Sequence, residues 1–298
     1  MTALAETRAS AARTAPPRRR RSARTRTQRI FMNIAALIVI VCSVFPVYWM
    51  VNTSLLPNSA TQSATPRLWP DEFTLGNYAD AFADGSLLPA MGISVAVTVG
   101  TVVVALLFAF FAAVAVSRYR FRSRKTFILA ILVIQMIPAE SLIISTFRVL
   151  DGWQLLNTII GLTFVYIALV LPFTIWTLRG FVNGVPAELE EAAMIDGCSR
   201  TGAFWRVTFP LLAPGLVATG VFAFIQAWNE FVFALVIMTR PESETLPIWL
   251  RSFVQVTKAT DWSVVMAAST LMAVPVIIFF LLVQRKMAGG QMSGAVKG

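Results

Sequence analysis

Six stretches of this chain stay apolar for about 20 residues or more, and runs of that length leave few ways to fold. They lie near residues 30–51, 87–116, 126–147, 158–178, 211–237 and 263–284. Each is long enough to cross a hydrocarbon layer of about 30 Å as a helix. The runs are continuously apolar and do not alternate with period two, which favours helices over a membrane barrel. With 57% hydrophobic and 13% charged residues and a mean hydropathy of +0.71, the chain has too little polar surface to coat a soluble globule of 298 residues. The expected fold is all-α, a polytopic membrane domain of six transmembrane helices over 30–288. An Arg-rich disordered tail at 1–29 precedes it and a short tail at 289–298 follows. The second run exceeds a simple crossing, so it is expected to tilt or to begin with an interfacial turn at Leu87–Met91.

Basic residues set the orientation. If the N-terminus is cytoplasmic, twenty Lys and Arg fall on the inner side and five on the outer, where Arg67, Arg148, Arg240, Arg251 and Lys258 lie. Both termini and the 179–209 loop are therefore expected in the cytoplasm. The net charge of +10 is mostly this orientation signal. The run Arg18–Arg21 with Arg24, Arg26 and Arg29 abuts a span and has no interleaved aromatics, which argues against nucleic acid. The first run reaches Phe45, Pro46, Tyr48 and Trp49 without a small-residue cleavage site, so it reads as an uncleaved anchor.

Several chemistries are closed. There is no histidine, which removes the usual zinc sites and any Ser-His or Cys-His nucleophile. Cys42 falls in a span and Cys198 in a cytoplasmic loop, so no extracellular disulfide is available. No phosphate-cradling glycine loop of the G-x-x-x-x-G-K-[ST] kind occurs, and the chain is not expected to bind ATP.

The polar stretch 186–210 has the pattern of a helix-turn-helix knob. Pro186 suits a helix start, Glu188, Glu190 and Glu191 favour its first turns, and Gly197 can take the left-handed conformation that ends it. A second short helix is expected from Ser199 or Thr201, carrying Phe204 and Trp205 and stopping before Pro210. Ala192 and Ala193 keep one face flat enough for close approach by another protein. The competing reading is an ordinary surface helix ended by a glycine.

Polar groups inside the runs form a second set. Glu140 and Glu230 are costly in hydrocarbon and are expected to face the bundle interior or a water-filled path, with Gln135, Gln226 and Asn229 near them. Trp228 offers a ring on which a sugar can stack. The same residues also suit hydrogen bonding between helices without touching substrate. Pro138, Pro172 and Pro275 are expected to kink their helices.

Glu191-Ala192-Ala193, Gly197 after three residues, and Val207-Thr208-Phe209-Pro210 after nine more resemble the EAA loop of bacterial ABC-importer permeases. The family pattern has isoleucine at Val207 and leucine at Phe209, both apolar exchanges. Trp228-Asn229-Glu230-Phe231, Thr245-Leu246-Pro247 and the terminal Gly294–Gly298 are similar to the carbohydrate-uptake subgroup, near its maltose-type second permease. The resemblance implies a multi-pass permease of the bacterial cell membrane, not itself an enzyme. It implies a second, related permease, a cytoplasmic ATPase dimer that uses ATP and magnesium, and an extracytoplasmic solute-binding protein. This chain would bind no cofactor. The resemblance makes Glu191, Ala192, Ala193, Asp196, Gly197, Phe204, Trp205 and Pro210 the ATPase-coupling set. It leaves Gln135, Glu140, Gln226, Trp228, Asn229 and Glu230 as candidates for the translocation path. An ion-coupled secondary transporter is the alternative, though no internal repeat is visible and the knob would have no purpose. A membrane hydrolase would need paired acidic residues at matching depth, which the sequence does not show.

Overall fold

The computed structural model describes residues 26–63, 65, 67–83, 85–254 and 260–292. Residues 1–25 of the Arg-rich tail, Lys258 and the Gly294–Gly298 terminus lie outside these. In chain order the helices are α1 (Arg26–Ser54), α2 (Asn58–Thr61), α3 (Gly76–Ala83), α4 (Leu87–Arg118), α5 (Arg124–Gln135), α6 (Ile143–Gly152) and α7 (Ile159–Gly184). They continue with α8 (Glu188–Ile195), α9 (Arg200–Ala203), α10 (Phe209–Trp228), α11 (Val232–Ile237), α12 (Leu246–Ser252) and α13 (Trp262–Met292). Among the described residues there is no strand. Contacts divide the chain at Tyr48/Trp49. The first unit contains α1 up to Tyr48, an apolar helix that begins at Arg26, before the expected boundary, and holds Pro46 inside it.

The second unit is built around α4 and α7, with α10 against both. Thr101, Ala105, Ala109 and Ala113 recur every fourth residue along α4 and are all fully buried. In lipid, where apolar surface gives helices no reason to associate, such a flat stripe supplies close packing instead. Opposite it α7 buries Leu162, Tyr166, Thr174, Leu178 and Val182. Gly215 of α10 lies so near Phe181 of α7 that a methyl group there would overlap the ring.

Two expected spans differ from the sequence reading. The third is not a kinked single helix: Arg124–Gln135 and Ala139–Gly152 meet at 91°. Pro138 supplies no amide to a helical ladder and disfavours helical geometry in Ile137, so the ladder ends there. Pro172 and Pro275 sit inside the continuous helices α7 and α13. The fifth span was expected at 211–237 but runs from Arg200 to Trp228, with α11 separate. Accordingly the second helix of the knob does not stop before Pro210. A π-turn at Phe204–Thr208 joins α9 to α10, and its wider bonding pattern absorbs the amide that Pro210 lacks.

At one end of this unit the α12 amide of Leu246 donates to Ser94 Oγ on α4 at 2.7 Å, fixing the Thr245-Leu246-Pro247 run. Nearby, Asn157 Oδ1 accepts from the amides of Thr239 and Arg240 at 2.7 and 3.0 Å and from Ser243 Oγ at 3.0 Å. Asn157 has φ 57°, a left-handed conformation that asparagine tolerates.

Candidate functional site

The knob forms at the other end of α4. Val185 is extended, as a residue before proline tends to be, and α8 follows with Glu188, Glu190 and Glu191 in its first turn. Its C-terminus closes by the Gly197 amide donating to Met194 O at 3.1 Å and the Cys198 amide to Ala193 O at 3.0 Å. This paired closure needs a left-handed residue at Gly197, whose φ is +92°. Ser199 Oγ then accepts from the Gly202 amide at 3.1 Å and starts α9.

A latch absent from the sequence reading fastens the knob. Glu190 Oε1 accepts from Thr208 Oγ1 at 2.7 Å and pairs with Arg118 Nε at 3.3 Å. Arg118 Nη2 also donates to Val185 O at 3.0 Å. One carboxylate thus ties α8 to the start of the fifth span and to the end of α4, with both charged side chains only 15% exposed. The Arg200 guanidinium lies over the Tyr119 ring at 5.5 Å and adds a second tie.

The remaining surface of α8 is uncommitted. Glu191, Ala192, Asp196 and Gly197 are exposed and Ala193 is half-buried. The Glu191 carboxylate makes no hydrogen bond or ion pair with another described residue. Beside it Leu189 is exposed and Ile195 is 86% exposed, giving an apolar patch next to a free carboxylate. Phe204 anchors the second helix to its own chain. It turns inward, packing on Phe110 of α4 at 6.0 Å between ring centres. Trp205 lies 4.8 Å from Phe209 and 6.3 Å from Phe110 and keeps about half its surface open. Pro210 falls in the first turn of α10, where the knob's second helix runs on into the fifth span.

The path candidates sit in different settings. Gln135 and Glu140 are exposed at the bend after α5, and Gln226 and Asn229 are exposed on or just after α10. Among the described residues no hydrogen bond joins the first pair to the second. Trp228 is 1% exposed and stacks on Phe224 at 5.7 Å, so it offers no face to a sugar. It shares one core cluster with Leu246, Trp249 and Ala268, as does Phe224 one turn earlier on the same face of α10. Glu230 caps α11, its Oε1 accepting from the Phe233 amide at 2.8 Å and its Oε2 from the Ala234 amide at 3.1 Å. Tyr166 O–H donates to the Glu230 carbonyl at 3.3 Å.

The family profile described as binding-protein-dependent transport system inner membrane component matches residues 105–288. That range holds both the knob and the break at 229–231. The chain belongs to this family. It is a permease subunit of an ABC importer, embedded in the membrane and not itself an ATPase. It is 43% identical over 270 residues to the diacetylchitobiose uptake system permease protein DasC of Streptomyces coelicolor, covering 91% of this chain and 98% of the relative. It is 35% identical over 277 residues to the trehalose/maltose transport system permease protein MalG of Thermococcus litoralis, with 91% and 98% covered. A solved bacterial ABC transporter that imports the acidic polysaccharide alginate shares the fold, with TM-score 0.74 at 24% identity over 88% of this chain and 98% of that one.

Proposed function

We propose that this permease moves a sugar, with the knob on the cytoplasmic side gripped by a separate ATPase dimer that uses ATP and magnesium. A second, related permease completes the path, and an extracytoplasmic binding protein delivers the sugar. The observation that carries this reading is the division of labour on α8: Glu190 is committed to the latch, while Glu191 and Ile195 stand free beside two alanines. A transmitter must be rigid toward its own span and adhesive toward its driver, since a compliant loop would absorb the displacement. The relatives named for diacetylchitobiose and for trehalose and maltose support a carbohydrate cargo. The positive-inside count supports cytoplasmic termini.

The test is uptake of a radiolabelled disaccharide by cells carrying the complete system. Depletion of ATP is expected to stop uptake while a protonophore with ATP maintained leaves it intact. Uptake that stops with the protonophore alone would contradict the proposal.

A further inference from the structure

The knob meets α4 at two depths. Its first helix is tied to the end of α4 by the Glu190–Arg118 pair at 3.3 Å. Its second meets α4 further back: the Trp205 ring lies 6.3 Å from that of Phe110, which precedes Arg118 by eight residues, about 12 Å along the helix. With 32 residues α4 runs about 48 Å against about 30 Å of hydrocarbon, so about 9 Å of it projects beyond a centred core on each side. Arg118 then stands at the outer limit of the headgroup layer, and Trp205 stands at the edge of the hydrocarbon.

The surroundings of Trp205 suit that depth. Its ring packs on Phe204 at 5.5 Å and on Phe209 at 4.8 Å, yet about half its surface stays open. Its indole N–H makes no hydrogen bond with another described residue. On α4 the Phe110 ring also meets Phe111 at 5.6 Å, and Phe111 belongs with Leu107 and Phe108 to one exposed apolar face of that span. Arg206, next in the chain, and Arg200, over the Tyr119 ring at 5.5 Å, are exposed. Neither has a carboxylate within ion-pair distance among the described residues. An indole at the hydrocarbon edge with a free N–H, and guanidinium groups beside it, complement the esters and phosphates of a lipid headgroup. A protein pocket in water would have to cross the headgroup layer to reach this ring, whereas α8 is already tied at the level of Arg118.

We propose that Trp205 and Arg206 seat the knob's second helix in the headgroup layer of the bilayer, the indole among the lipid esters and the guanidinium on a lipid phosphate. The membrane thus holds the root of the knob, and the ATPase-facing surface narrows to α8. That the leaflet is the cytoplasmic one rests on the transport reading; the lipid contact does not. The test is fluorine NMR on the full chain with fluorotryptophan in place of its eight tryptophans, in phosphatidylcholine nanodiscs. The Trp205 signal is the one missing from Trp205→Phe. A lipid carrying a nitroxide just below its headgroup is expected to broaden that signal beyond detection, while a water-soluble gadolinium chelate leaves its width unchanged. Arg206→Glu, which sets a carboxylate against the phosphate, is expected to restore part of the signal in the presence of the nitroxide lipid, and Ile195→Asp is expected to restore none. A Trp205 signal broadened by the chelate and not by the lipid would overturn the proposal. So would a signal that escapes the lipid nitroxide once the ATPase dimer is bound, which would hand the ring to the ATPase. If no ATPase binds the chain but the lipid pattern appears, the seat stands and the transport reading alone falls.

Discussion

At the knob and at the break after α10, a glutamate stands where an apolar helix is interrupted, yet the two regions use their polar groups in opposite ways. In the knob, Glu190 does the internal bonding, and Glu191 one residue later points away with its carboxylate free. At the break, Glu230 has both oxygens committed to amides of α11, and its neighbour Trp228 is sealed in the core. Both were candidates for contact with something outside the chain. Of Glu191 and Glu230, only Glu191 leaves its carboxylate without a partner among the described residues, which fits the proposed interface role of the knob, whereas Glu230 holds the break together.

That contrast is most exposed at Trp228. Trp228→Ala is expected to cost about 3–5 kcal/mol, as for other buried large-to-small changes, read as a lower melting point in detergent. A variant of normal stability with weakened sugar affinity would instead restore Trp228 to the substrate path. Next in size is Arg118→Ala, which leaves Glu190 half-buried without its cation. A double-mutant cycle with Glu190→Gln should give a coupling of about 1–3 kcal/mol, and a value near zero would mean the latch is ornamental. Gly197→Val forces a β-branched residue into a left-handed conformation at a cost of about 1–3 kcal/mol. No atom crowds the position, so insertion should be normal while uptake falls. Smallest on stability is Ile195→Asp. With the side chain 86% exposed, its unfolding free energy should stay within about 0.5 kcal/mol of wild type while ATPase binding is lost.

The apolar runs made the all-helical fold legible, because length and continuity alone demand satisfied backbone in lipid. Gly197 and the acidic first turn of α8 were equally readable, since each is a local requirement of helix ends. What escaped the sequence depends on distance along the chain. Arg118 lies 67 residues from Val185, and nothing near Arg118 marks it as a clamp. Ser94 and Leu246 are 152 residues apart. The bend at Pro138 and the continuity through Pro210 also show that a proline's effect is set by its surroundings: no π-turn precedes the first, and one precedes the second.

The central claim is that the free face of α8 is held by a separate ATPase. Affinity purification of the tagged full-length wild type and Ile195→Asp chains from cells expressing the whole system, with the ATPase quantified in each, tests it most directly. The account predicts near-stoichiometric ATPase with wild type and at least about a tenfold loss, or 1.4 kcal/mol, with Ile195→Asp at unchanged permease yield. Equal ATPase recovery with both chains would contradict it.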